Sequence, residues 1–184
     1  MKPIFLIGYM GSGKTTMGRS LSKYLNIDFI DLDLFIEARF RKSVKEIFAE
    51  KGEQGFRTIE HNVLREVGEF ENVIIACGGG TPCHFDNMDY MNTHGFTVFL
   101  NASHEALMRR LTIPSAKAKR PIIADKSDEE LSQFITEAMK QRAPHYNKAI
   151  LHFDSSYLED TIQVKESTEK LAKLLTQVSL SCGL

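Results

Sequence analysis

Ile4-Phe5-Leu6-Ile7-Gly8-Tyr9-Met10-Gly11-Ser12-Gly13-Lys14-Thr15-Thr16 is the stretch from which the rest of the chain is read. An apolar run suited to a buried strand, Pro3 to Gly8, leads into Gly8–Thr15, which matches the phosphate-loop pattern GxxxxGK[ST]. Beyond it, Met17, Leu21 and Leu25 recur every fourth residue, which predicts a helix over Lys14–Leu25. The strand–loop–helix order is what phosphate chemistry needs. Glycines let successive N–H groups turn inward, the helix start adds its positive end, and a lysine reaches the β and γ phosphates. Gly11, Ser12, Gly13, Lys14, Thr15 and Thr16 are therefore candidate nucleotide-binding residues, and the Thr15 hydroxyl a candidate Mg²⁺ ligand. A chance glycine-rich turn is the bland alternative, and average glycine usage makes such a match about a one-in-a-hundred event in a chain of this size.

Working outward, strand-like runs alternate with amphipathic helix-like ones. Strands are expected at Phe29–Asp31, Val73–Ala76, Phe96–Leu100 and Ile150–Phe153, and helices fill the intervals. Ser43 and Glu46 have the spacing of a capping box, so helices are placed from Asp33 to about Glu66. Ser103–Leu111 reads as another helix. Ser127 and Glu130 open one that Pro144 is expected to stop, and Leu171, Leu174, Leu175 and Val178 mark a closing one. The segment Thr112 to Ala124, polar and basic with Pro114 and Pro121, is expected to be a mobile surface segment. The pattern predicts an α/β fold, a doubly wound five-stranded parallel sheet flanked by helices.

The 184 residues suit one domain. Basic and acidic residues number 23 and 24, so no broad positive field exists to hold a nucleic acid, and no apolar run is long enough to span a bilayer. Met1-Lys2-Pro3 runs straight into a core strand, which argues against a signal peptide and for the cytoplasm. Cys77, Cys83 and Cys182 form an odd set without a CxxC pair, as suits a reducing compartment, and Cys77 reads as a small buried residue at a strand end. The histidines show no HxxxH spacing, so no transition metal is expected. Nothing suggests an obligate interface, and a monomer is the default.

Asp31 and Asp33, two apart in an extended segment, share a face and can both point at the phosphate pocket. Asp31 is suited to orient waters on Mg²⁺; Asp33 is suited to accept the proton of an acceptor hydroxyl or to position it. A pair of turn or N-cap aspartates is the alternative. A carboxylate there also disfavours an acceptor that is itself a phosphate. Arg57, Arg120 and Arg142 are each ordinary surface residues taken singly, but as a set they offer guanidinium forks for a carboxylate and a charge for the transferring group. Gly78-Gly79-Gly80, at the end of the third strand, bares N–H groups for close approach of substrate or γ-phosphate.

With these residues in view the chain resembles the shikimate kinase family along nearly its whole length. Gly8 to Thr16 with Gly18, the pair Asp31 and Asp33, Phe56-Arg57 with Glu60, Gly78 to Gly80, Arg120-Pro121, and Arg142-Ala143-Pro144-His145-Tyr146 follow that family's order and approximate spacing. The resemblance implies a P-loop NTPase of the nucleoside-monophosphate-kinase-like fold that uses ATP and Mg²⁺ to phosphorylate shikimate to 3-phosphoshikimate. It implies that Asp33, Arg57, Gly79, Gly80 and Arg142 hold shikimate, with Glu60 bracing Arg57, and that Lys14, Asp33 and Arg120 carry catalysis. It also implies an acceptor subdomain over about 33–66, a lid over about 112–124, and an adenine-stacking Arg110, a role for which Arg109 is the alternative. The segment Thr112 to Lys119 departs from the shorter, often glycine-containing lids of the family. Around Asp154 to Tyr157 no distinctive motif completes the adenine pocket. The competing readings are a related P-loop kinase for gluconate or a nucleoside monophosphate, and a nucleotide-binding regulatory module without catalysis.

Overall fold

The computed structural model describes residues 1–118 and 120–182. Its strands β1 (Ile4–Ile7), β2 (Asp28–Asp31), β3 (Val73–Ala76), β4 (Phe96–Asn101) and β5 (Leu151–Asp154) form one parallel sheet in the order β2-β3-β1-β4-β5. The helices are α1 (Lys14–Leu25), α2 (Leu32–Phe40), α3 (Val44–Gly68, broken at Gly52), α4 (Asn87–His94), α5 (His104–Leu111), α6 (Pro114–Ala118), α7 (Asp128–Tyr146) and α8 (Thr161–Cys182). Both expected capping boxes are present: Ser43 and Glu46 close the start of α3, Ser127 and Glu130 the start of α7.

Alternating side chains of β1 feed two cores, because successive residues of a strand face opposite sides of the sheet. Ile4 and Leu6 pack with Met17 and Leu21 of α1 and Leu171 and Leu175 of α8. Phe5 and Ile7 pack with Ile36, Leu64, Val67 and Met91 of α2, α3 and α4. Burying each such aliphatic side chain contributes about 1.5–3 kcal/mol, and coverage of both faces explains the unbroken apolar runs of β1 and β3. Among the described residues no helix is long and apolar enough to cross a membrane.

Register then fixes what sits at the carboxyl edge of the sheet. Asp31 of β2 lies beside Ala76 of β3, and Ala76 beside Leu6 of β1. The loops that leave β1, β2 and β3 therefore emerge side by side. The connection after β1 goes to α1 on one face and that after β3 to α4 on the other, so a crevice opens between them, where ligands of open α/β sheets bind.

Two expectations need correction. Pro144 does not stop α7, which continues to Tyr146. A proline forfeits one helical N–H bond, but here the last turn is held by the wholly buried Tyr146 and by the Asn147 N–H donating to the Ala143 carbonyl at 2.9 Å. The stretch Thr112 to Ala124, expected as a mobile surface segment, does not lie wholly at the surface. It contains α6 and a 3₁₀ turn at Pro121–Ile123, and Ile123 is fully buried against Leu107, Leu131 and Ile135. Lys119 within that stretch, and the side chain of Cys182, lie outside the described residues. The helix expected between β3 and β4 carried no bounds in the sequence; α4 fills that interval, with an inward face that mixes the polar Asn87 with Met88, Tyr90 and Met91 and no side-chain cap at its start among the described residues. Cys77 is buried as expected, its Sγ 3.7 Å from Met91 Sδ, and burial pushes its thiol far above the ordinary range.

Candidate active site

The loop after β1 wraps around a cavity of about 480 Å³ lined by Gly11, Gly13, Lys14, Thr15, Thr16, Asp31, Arg110 and Arg120 among others. Gly11 and Gly13 have φ of 80° and 93°, the left-handed region where a side chain is strained, and a Cβ on Gly13 would lie 2.5 Å from Leu158. The Lys14 ammonium donates to the Gly8 and Tyr9 carbonyls at 2.8 and 2.9 Å, which holds it across the loop. Ser12 stands apart from the other loop residues. Its side chain is buried away from the cavity lining with no hydrogen-bond partner among the described residues, and its N–H donates to the Tyr9 carbonyl at 3.1 Å.

Thr15 Oγ1 donates to Asp31 Oδ2 at 2.9 Å, and Asp31 also caps the start of α2. Two hard oxygen donors at the mouth of a phosphate loop suit Mg²⁺, which takes few protein ligands and completes its shell with phosphate oxygens and waters. Among the described residues no cluster of three or more His, Cys, Asp or Glu could hold a metal by itself.

Arg110 and Arg109 occupy different places. The Arg110 guanidinium donates in its plane to Gly11 O (3.1 Å), Ser155 O (2.9 Å), Ser156 O (3.1 Å) and Glu159 Oε1 (3.2 Å). With its edges occupied, only its faces remain for a ligand, as base stacking requires. Arg109 is half-exposed, pairs with Glu159 at 3.4 Å, and does not line the cavity. The loop around Asp154 to Tyr157, which carries no motif, thus contributes through backbone carbonyls, and Leu158 and Glu159 after it line the cavity.

A second cavity, of about 850 Å³, opens on the far side of Asp33 and is lined by Phe48, Phe56, Arg57, Glu60, Gly78 to Gly80, Arg120 and Arg142, with Glu37, Lys45 and Ile122 toward its rim. It shares Met10, Asp33, Gly78, Gly79 and Arg120 with the first. Arg57 donates to Glu60 at 2.9 Å and lies over the rings of Phe48 and Phe56, 5.8 and 5.4 Å from their centroids. Glu60 is only 1% exposed and accepts a second bond, 2.5 Å, from Thr81 Oγ1. Arg142 lies 5.2 Å from the Tyr9 ring centroid, and Tyr146 donates its hydroxyl to the Gly79 carbonyl at 2.6 Å. Side chains at the glycine triplet would displace the groups that line the cavity. A Cβ on Gly78 would meet Glu60 at 2.9 Å and Asp33 at 3.1 Å, one on Gly79 would meet Arg142 at 3.2 Å, and one on Gly80 would meet Arg57 at 2.8 Å.

Burial raises the Asp33 carboxyl to about 6, helped by the charges of Glu60 and Asp31 and opposed by Lys14 and Arg57. Burial also lowers the Lys14 ammonium to about 8 against the pull of Asp33, Cys77 and Asp31. A carboxylate poised near neutrality and a cation therefore face one another where the two cavities meet, an arrangement able to activate or orient a hydroxyl beside a phosphate chain. Arg120 reaches this junction from the Thr112–Ala124 segment, its guanidinium donating to the Ala116 carbonyl at 2.6 Å.

Sequence reasoning assigned no role to Tyr9, Phe48, Tyr146 or Leu158. Tyr9 within the phosphate loop and Tyr146 four residues after Arg142 carried a signal only by residue type, Phe48 and Leu158 carried none, and an isolated apolar or aromatic side chain is far more often core.

The shikimate kinase family model matches residues 10–176. A shikimate kinase of Phocaeicola vulgatus is 52% identical over 177 residues, 96% of this chain and 100% of that protein. The crystal structure of shikimate kinase from Bacteroides thetaiotaomicron superposes with a TM-score of 0.91 at 52% identity, covering 95% of this chain and 98% of that one. Shikimate kinase from Acinetobacter baumannii in complex with shikimate gives a TM-score of 0.83 at 28% identity, covering 98% and 96%. A match of this extent, on a chain whose phosphate loop and arginine-lined cavity meet at a single carboxylate, has one meaning: the chain belongs to the shikimate kinase family.

Proposed function

We propose that this chain transfers the γ-phosphoryl group of ATP to the 3-hydroxyl of shikimate, with the nucleotide in the cavity around the P-loop and shikimate in the cavity beyond Asp33. The observation that carries the reading is the position of Asp33, with Arg120, Gly78 and Gly79, at the junction of the two cavities, between Lys14 on one side and Arg57, Arg142 and Gly80 on the other. An acid with a ring of hydroxyls suits such a cavity, since guanidinium forks grip a carboxylate while a buried carboxylate accepts from hydroxyls.

In this mechanism Gly11, Gly13 and Thr16 present the loop to the phosphates, Lys14 neutralises the β and γ oxygens, and Arg110 offers its face to the base. Thr15 and Asp31 would hold and orient Mg²⁺, which when bound would supply positive charge to the β and γ phosphates. Asp33 holds the acceptor hydroxyl in line and takes its proton, and Arg57 and Arg142 bind the acceptor carboxylate. Arg120, carried on a lid over about 112–124, brings its charge onto the transferring group, a contribution of about a thousandfold or more in rate. The segment over about 33–66 serves as the acceptor subdomain. Positioning and charge stabilisation account for most of the rate. The near-zero net charge supports action on metabolites rather than on nucleic acid, the odd cysteine count supports the cytoplasm, and a monomer remains the default.

A coupled ADP-release assay with shikimate, gluconate and AMP as acceptors tests the reading. Turnover is expected with shikimate and not with the other two; ADP release that does not respond to shikimate overturns it.

A further inference from the structure

Behind the acceptor cavity lies a chain of polar side chains that none of the roles above uses. Thr81, fully buried, donates to Glu60, the carboxylate that braces Arg57. Asn87 at the start of α4, also fully buried, donates its amide N–H to the Thr81 carbonyl at 2.9 Å, and so anchors the residue that follows the glycine triplet. Its amide oxygen lies 2.7 Å from Nδ1 of His61 on α3, while Nε2 of the same ring lies 3.2 Å from Nε of Arg65. Arg65 in turn donates to both oxygens of Asp86 at 2.7 Å and lies over the Tyr90 ring, 4.6 Å from its centroid.

Donor and acceptor chemistry orients every link. Because the Asn87 nitrogen is spent on a carbonyl, its oxygen must face His61, and Nδ1 must carry the proton. Because Arg65 can only donate, Nε2 must be the bare nitrogen. Phe85 covers the imidazole with a centroid separation of 4.7 Å, and it does so from the left-handed backbone region, at φ 51°, which costs a bulky residue free energy. Two fully buried polar side chains, an imidazole in one defined tautomer and a strained covering phenylalanine are more than helix-to-helix packing needs.

We infer that His61 is a positioning residue for the acceptor site: through Asn87 and Thr81 it sets the place of Glu60, and hence of the Arg57 guanidinium. The inference rests on the reading of Arg57 as a ligand of the acceptor carboxylate. Because no member of the relay reaches the phosphate loop, its loss should be felt by shikimate and not by ATP.

The test compares steady-state constants of His61→Ala, His61→Asn and His61→Gln, with Arg57→Ala as control. The Asn amide overlays Nδ1 and can still donate to Asn87; the Gln amide overlays Nε2 and can serve only Arg65. For His61→Ala the KM for shikimate should rise about fivefold, the equivalent of one hydrogen bond, with kcat and the KM for ATP changed less than about twofold. His61→Asn should restore most of the loss and His61→Gln should not. An unchanged acceptor KM in His61→Ala, equal changes for both substrates, or rescue by Gln instead of Asn overturns the relay. If Arg57→Ala also leaves the acceptor KM unchanged, the acceptor-site reading has failed; if Arg57→Ala raises it and His61→Ala does not, only the relay has failed.

Discussion

Gly80→Ala adds a single methyl group and reports directly on how tightly Arg57, the arginine proposed to hold the acceptor carboxylate, is placed. The backbone at Gly80 has φ −90°, open to any residue, so the substitution brings no backbone strain. The added Cβ would stand 2.8, 2.9 and 3.0 Å from the two terminal nitrogens and the central carbon of the Arg57 guanidinium, where ordinary contacts begin at 3.4 Å. The guanidinium must therefore retreat by about half an ångström or more. It is the far end of a flexible side chain, so the fold should tolerate the move, and a change in Tm below about 3 °C is expected. Binding should not tolerate it. Arg57 is held between Glu60 and two aromatic rings, and a displacement on that scale spoils a charge-assisted hydrogen bond of about 1.5–3 kcal/mol. That corresponds to a rise in KM for shikimate of about 10- to 100-fold, with the KM for ATP within about twofold. Steady-state kinetics with each substrate varied in turn, beside a thermal melt, reads all three quantities. An unchanged shikimate KM, or a fall in Tm large enough to account for lost activity, would refute the claim that Gly80 exists to admit Arg57.

Other expectations follow from the electrostatics and the packing. Asp33→Asn should bind ATP as the parent does yet lose most turnover, measured by nucleotide titration and the coupled assay; undiminished turnover removes Asp33 from the mechanism. The same variant bears on stability. Asp33 titrates near 6 in the fold against 3.8 when unperturbed, so the native state favours the protonated form. Its contribution is fully present below about 3.8 and is lost as pH rises through about 6, a penalty on the order of 3 kcal/mol at pH 8. Asp33→Asn should accordingly melt higher than the parent at pH 8, with the gap narrowing by pH 5. In the parent enzyme, kcat/KM should fall below about pH 6 as Asp33 takes a proton and again above about pH 8 as Lys14 loses one, and a profile flat across both limbs would contradict these assignments. Tyr146→Phe removes the bond to the Gly79 carbonyl and should cost about 1–2 kcal/mol, a drop in Tm of about 2–6 °C, together with a weaker KM for shikimate.

Much of this protein is written in local signals. A phosphate loop is specified by glycines that allow positive φ and by a lysine at a set distance after a strand, so Gly8 to Lys14 and the helix after them were legible residue by residue. The capping boxes at Ser43 and Ser127 were legible for the same reason, since an N-cap and the residue three positions on satisfy each other without help from the rest of the chain. Unbroken apolar runs located the central strands, because burial on both faces leaves no polar alternation to confuse them.

What lay beyond sequence reading depends on partners far away in the chain. Pro144 reads as a stop, and only the buried Tyr146 hydroxyl on the Gly79 carbonyl explains why the helix passes through it. Arg109 and Arg110 are equivalent as letters; the carbonyls of Gly11, Ser155 and Ser156 decide which of them enters the cavity around the P-loop. Local chemistry thus set the elements and the identity of the phosphate loop. The convergence of Asp33, Arg57, Arg120 and Arg142 came from the order β2-β3-β1 and from helices packed across it, because proximity of residues about a hundred positions apart is a property of the packed sheet and not of any stretch of chain.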